Sequence, residues 1–151
     1  MKLTWHFMLQ FLNYRFNALN DKIHDDGNGT VVGYHIPEGT IMYDHTLFDE
    51  EKKMNLSSGI YTAPKEGVYL FGVDAHKCSG NALAQIDAIH NGKIIKSISH
   101  SDSAPQSTQL TSFWSVEMKA GDTIYLKNKQ ASSLYTLGTT YVLSFIGFYL
   151  S

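Results

Sequence analysis

"TYVLSFIGFYLS", residues 140–151, decides how this chain is read. Taken as a strand, its alternate residues fall on two faces. Val142, Ile146, Phe148 and Leu150 belong to one face; Tyr141, Leu143, Phe145 and Tyr149 belong to the other. Both faces are apolar and neither carries a charge. Strands buried on both sides are usual in parallel α/β sheets, and nothing else in the chain follows that pattern. Some second layer must therefore cover one face.

Working outward, the residues from 30 onward read as β-structure. "GVYLFGVDA" (67–75) and "GDTIYLKN" (121–128) are short strand runs that begin at a glycine. "AQIDAIHNGKIIKSI" (84–98) holds two strands around Asn91-Gly92, a dipeptide suited to a type I′ turn. "LTSFWSVEM" (110–118) is another strand, and "KAGD" turns the chain into the next. Short strands separated by turn signals specify an antiparallel sandwich or barrel. Aromatic residues make up 13% of the chain, which favours pleated, half-buried surfaces.

The first 26 residues differ. Leu9, Leu12, Phe16, Leu19 and Ile23 recur at spacings of three and four, with Trp5 extending the series. That spacing predicts a helix over residues 1–26, and Asp25-Asp26-Gly27-Asn28-Gly29 stops it, with 27–29 as a linker. So short a helix needs a partner. Its own domain, copies of itself, or a signal-peptide origin are the alternatives.

The 151 residues suit one domain, and the formal net charge of −2 implies no polyelectrolyte partner, nucleic acid included. No apolar run reaches the ~18 residues of a membrane helix. The single cysteine, Cys78, forbids an internal disulfide. Two triplets, Asn28-Gly29-Thr30 and Asn55-Leu56-Ser57, match the N-glycosylation acceptor pattern and lean toward secretion.

Tyr43, Asp49, Met54, Tyr61, Gly67 and Tyr69 fall at the spacings of a known pattern: aromatic, acid or amide, bulky, aromatic, then Gly-x-Tyr. With "GIYTAPKEGVYLF" (59–71), "MKAGDTIYLK" (118–127) and "SFIGFYL" (144–150), they make residues 30–151 resemble the complement C1q globular head, within the tumour-necrosis-factor-like jelly rolls. Tyr43 and Tyr61 stand where Phe is usual, and Met54 where an aromatic or Leu is usual. The resemblance implies a ten-stranded jelly roll that assembles as a trimer. The final strand would then lie near the threefold axis, with Tyr141, Leu143, Phe145 and Tyr149 against neighbouring copies and Gly147 permitting close approach. Leu9, Leu12, Phe16, Leu19 and Ile23 would form a three-stranded stalk. No Gly-X-Y run is present to make a collagen stalk.

The chain carries no G-x-S-x-G, Walker loop or His-Glu-x-x-His, so no enzyme is expected. Asp74, His76 and Cys78 alternate along "VDAHKCS" and are weak candidates for a zinc site, a packed strand end being favoured. Some members of the resembled family bind calcium; Asp49, Glu50, Glu51 and Asp102 are acidic groups without a recognised loop motif, and none is assigned. The polar segment "HSDSAPQSTQ" (100–109) offers His100, Asp102, Ser103 and Gln106 to a ligand. "KQASSLYTLGTT" (129–140) adds Tyr135 as a stacking surface. The resulting expectation is a secreted trimeric recognition protein that binds carbohydrate or microbial surface ligands. A cytokine-like or synaptic-organiser ligand for a protein receptor is the alternative, and a structural trimerisation domain the weaker one.

Overall fold

The computed structural model describes residues 14–25, 27–79, 83–101 and 108–151. Those residues are all-β. The strands are β1 (Arg15–Asn20), β2 (Ile23–Asp25), β3 (Val31–His35), β4 (Gly39–Thr40), β5 (His45–Phe48), β6 (Met54–Asn55), β7 (Ile60–Thr62), β8 (Gly67–Lys77), β9 (Ala84–His90), β10 (Lys93–His100), β11 (Thr108–Met118), β12 (Thr123–Asn128), β13 (Leu134–Thr136) and β14 (Leu143–Tyr149). They form two antiparallel sheets in a jelly-roll arrangement. The larger runs β2-β3-β13-β8-β14-β1-β5, with β11 also paired to β8; the smaller runs β10-β9-β12-β7-β6, with β4 on β12. Several of the fourteen segments are only two or three residues long, which is why they exceed the expected ten strands.

Long β8 is the spine of the larger sheet. β11 pairs along its whole length, while β14 takes residues 69–74 and β13 takes residues 76–77 on its other side. The Asn91-Gly92 turn is as read from sequence: both residues have positive φ, 47° and 80°, and join β9 to β10.

The helix is corrected. Where the stretch is described, it is strand: β1 pairs with β14 from Arg15–Phe148 to Asn20–Leu143, and β2 forms a hairpin with β3. Residues 27–29, read as a linker, form the bend of that hairpin, with Gly27 and Gly29 at positive φ. The globular head therefore starts before residue 30. Phe16, Ala18 and Asn20 point inward and are buried, so Phe16 is a core residue and not part of a stalk. Leu19 lies on the opposite face, and Ile23 is exposed at the β2 edge. Leu9 and Leu12 lie outside the described residues.

The faces of the final strand are also corrected. Leu143, Phe145 and Tyr149 are buried in the single chain's own core and are not interface residues. Tyr141 precedes the strand, half-buried, and its ring packs on His76 and Tyr135. The opposite set, with Ile146 and Phe148, faces outward. Gly147 does permit a close approach, but within the chain: a Cβ there would sit 2.3 Å from Cε1 of Phe16. Phe16 fills that space, its ring 4.4 Å from Tyr61 and 5.0 Å from Phe145. These aromatic contacts link the two sheets, because Tyr61 belongs to the smaller one.

Candidate functional site

Two features of the larger sheet's outward face bear on function. The first is a groove where β2, β3 and β13 meet the end of β8. Tyr135 pairs with His35 on one side and His76 on the other, so all three side chains share that face. The Tyr135 ring lies across β3 because Gly33 leaves room for it; a Cβ on Gly33 would come within 2.7 Å of the ring. Beside the ring is a groove of about 470 Å³, whose walls add His24, Val32, Cys78 and Ser79 to Gly33, His35 and Tyr135. A volume of that order suits a small ligand.

Among the described residues, the groove's lining offers imidazole, hydroxyl and thiol groups and the flat phenol ring of Tyr135. Cys78 Sγ lies 3.5 Å from His35 Nδ1. Burial raises the Cys78 thiol above its ordinary pKa, against the opposing pull of the neighbouring Lys77 ammonium. That burial favours the protonated thiol. Its backbone N–H donates to the Ser133 carbonyl at 2.8 Å, which anchors the groove floor.

The second feature is an apolar patch. Phe113, Gly72 and Ile146 stand side by side on β11, β8 and β14. Phe113 is 61% exposed, and its ring lies over Gly72, where a Cβ would meet it at 2.4 Å. The next row holds Leu70 and Phe148, followed by Arg15, whose guanidinium sits 4.6 Å from the Phe48 ring.

Of the residues singled out from sequence, Tyr135 lines the groove, though from a strand and not from a loop. His100 ends β10 in the smaller sheet, opposite Ala84 and outside the groove. Asp102, Ser103 and Gln106 lie outside the described residues. Asp74, His76 and Cys78 do share one face, but their partners differ. Asp74 accepts from Gln109 at 2.6 Å and Thr111 at 3.0 Å, His76 packs on Tyr141, and Cys78 faces His35. Among the described residues, no three histidine, cysteine or acidic side chains are grouped closely enough to hold a metal ion. Asp49 accepts backbone N–H bonds from Lys53 and Met54, and Glu50 pairs with Arg15 at 3.4 Å. Those carboxylates serve the turn and the sheet edge.

Sequence reasoning missed His24, Val32, Gly33, His35 and Ser79. The one available signal was "VVGYH" (31–35), whose alternation places Gly33 and His35 on the same face.

The two-sheet jelly roll is the fold of C1q and tumour-necrosis-factor-like domains, here with a groove at one sheet edge and an apolar outward face. The C1q domain model matches residues 31–150, and the chain belongs to the C1q domain family. Among solved structures, the globular domain of zebrafish complement 1qA protein is similar at 17% identity, covering 91% of this chain and 98% of that one, with a TM-score of 0.65. Murine APRIL is similar at 13% identity, covering 88% and 97%, with a TM-score of 0.62. Eiger TNF from S. frugiperda is similar at 11% identity, covering 91% and 94%, with a TM-score of 0.63. No curated protein sequence matches the chain. Among the described residues, no helix is long and apolar enough to cross a membrane.

Proposed function

We propose that this chain is an extracellular recognition module that assembles as a trimer and binds a saccharide in the groove beside Tyr135. The groove itself carries the reading. It is a shallow, open groove of small-ligand size, with a tyrosine ring along one wall and the imidazoles of His24 and His35 and the Ser79 hydroxyl around it. A sugar ring offers an apolar face to stack on an aromatic ring and hydroxyls to exchange hydrogen bonds with imidazole and hydroxyl groups. A protein receptor is the alternative, and the exposed Phe113 patch and the likeness to APRIL and Eiger TNF speak for it.

The apolar patch supports assembly. Soluble chains rarely leave contiguous apolar surface open, and here Phe113, Ile146, Phe148 and Leu70 share one face. A second, different patch, Ile94 and Ile95, stands at the β10 edge, 59% and 40% exposed. Two unlike patches favour a head-to-tail contact, which makes a ring where the rotation between copies closes. Membership of the C1q family points to three copies. Three grooves on one rigid ring would bind a multivalent surface far more tightly than one.

A glycan array probed with the purified chain and with Tyr135→Ala tests the binding. Sugar-competable binding that the variant loses is the expected result. Silence on the array together with capture by a cell-surface protein would transfer the reading to a protein receptor. Sedimentation equilibrium tests the assembly. A trimer is expected, and Phe113→Asp should yield a folded monomer because Phe113 contributes exposed surface and not core. A wild-type monomer across micromolar concentrations would overturn the trimer.

A further inference from the structure

We propose that Asn55 is a site of N-linked glycan attachment, and that the fold displays it ready for that modification. The inference rests on the extracellular reading above, because the acceptor triplet is used in secreted chains. In β6 the side chain of Met54 points inward and is buried, so the next residue, Asn55, points out and is exposed. Its Oδ1 accepts from the Ser57 backbone N–H at 3.1 Å, the Ser57 hydroxyl at 2.8 Å and the Ser58 N–H at 3.1 Å. All three bonds go to the oxygen. Among the described residues, Nδ2 has no hydrogen-bond partner, so attachment there breaks no contact.

The turn presents the two groups that define the triplet, the Asn55 amide and the Ser57 hydroxyl, together on one exposed face. It is also held firmly. The Gly59 N–H donates to the Asn55 carbonyl at 2.7 Å. Gly59 has a φ of +73°, and a Cβ there would lie 1.9 Å from the Ile41 carbonyl oxygen. Among the described residues, β6 is the last strand of the smaller sheet and pairs with β7, while its Met54 N–H donates to Asp49 at 3.0 Å. A glycan there would lie at that end of the smaller sheet. The groove and the apolar patch belong to the other sheet and would stay free.

In the transfer, Nδ2 attacks the anomeric carbon of a lipid-pyrophosphate-linked oligosaccharide. The C–N bond forms as the anomeric C–O bond breaks. The lipid pyrophosphate leaves with the electron pair, one Nδ2 proton passes to a base of the transferase, and nothing is oxidised.

The test expresses the full chain behind a secretion leader in insect cells. Peptide mass mapping is applied to both the medium and the retained pool. Peptide N-glycosidase converts an occupied asparagine to aspartate and so marks occupancy. A glycan at Asn55 is expected, lost in Ser57→Ala and Asn55→Gln and kept in Ser57→Thr. Asn28→Gln reports separately on the other triplet. Unmodified Asn55 in folded, secreted protein overturns the inference and leaves the recognition reading untouched. Occupied Asn55 on a chain that binds no saccharide sinks the saccharide reading alone.

Discussion

Replacing Phe16 with alanine should cost this domain a large share of its stability. Phe16 is fully buried, 4.4 Å from Tyr61, 5.0 Å from Phe145 and 6.3 Å from Phe71 between ring centroids. Its ring occupies the space that Gly147 vacates, and neighbours held in two hydrogen-bonded sheets cannot collapse far into the void. Deleting such a side chain costs about 3–5 kcal/mol, from lost transfer energy plus the cavity. Domains are stable by only about 5–15 kcal/mol, so the loss is severe. For a chain of this size it corresponds to a fall in Tm of roughly 6–20 °C. Urea unfolding followed by tryptophan fluorescence is a suitable assay, since Trp114 stacks on Phe71 and Phe145 and reports on the same cluster. The midpoint should fall with little change in slope, at one fixed protein concentration because assembly adds to apparent stability. Leu19→Ala, on the outward face of the same strand, should cost much less. A loss below about 1 kcal/mol for Phe16→Ala, well under the core-deletion range, would refute the placement of β1 in the core. It would restore the view that this stretch packs outside the head.

Gly147→Ala places a methyl 2.3 Å from Phe16 and 2.9 Å from Phe71, and should destabilise by about 1–3 kcal/mol. Phe16→Leu should recover part of that loss in a double-mutant cycle, whereas strict additivity would show that the two positions do not share the space. Asp122 accepts from the Lys119 N–H at 2.9 Å and lies 3.0 Å from His90 Nε2. Hydrogen bonding, that of Asn91 first, lowers its pKa from 3.8 to about 2. A carboxyl depressed on folding stabilises above its unfolded pKa, and that contribution is lost as pH falls through the folded value. The stability gap between wild type and Asp122→Asn should therefore narrow between pH 3.8 and about 2. A gap that stays constant through this window in acid urea titrations would show that the carboxylate's charge contributes nothing.

Much of the head was legible in the residues. Alternation in "GVYLFGVDA", the Asn91-Gly92 turn and the ordered spacing from Tyr43 to Tyr69 all depend on local backbone preference or on a pattern tied to one fold. They led to an antiparallel jelly roll, and that is what formed. The β-strand "RFNALN" (15–20) was misread because its apolar residues satisfy two periods at once. Phe16 and Leu19 are three apart, as on one helix face, while Phe16 and Ala18 are two apart, as on one strand face. The choice was made by β14, more than a hundred residues later in the chain, whose edge offers six register pairs to β1. A helix there would have left that edge open and the space at Gly147 unfilled.

The final strand shows the same limit. Both of its faces are apolar, so composition alone could not say which one turns inward. Packing decided it, because only the face with Gly147 can admit the Phe16 ring between Phe145 and Tyr149. The groove was further out of reach. Its residues come from β2, β3, β13 and the end of β8, and no segment contains enough of them to signal a site. Tyr135 could be picked out as a ring in a polar stretch. That it would lie over Gly33, with His35 and His76 on either side, follows from cross-strand register, and register exists only once the sheet has formed. Sequence determined the class of fold through local periodicity and turn chemistry. Tertiary structure decided which faces are core, which remain open and where a ligand can sit, because those depend on contacts between residues far apart in the chain.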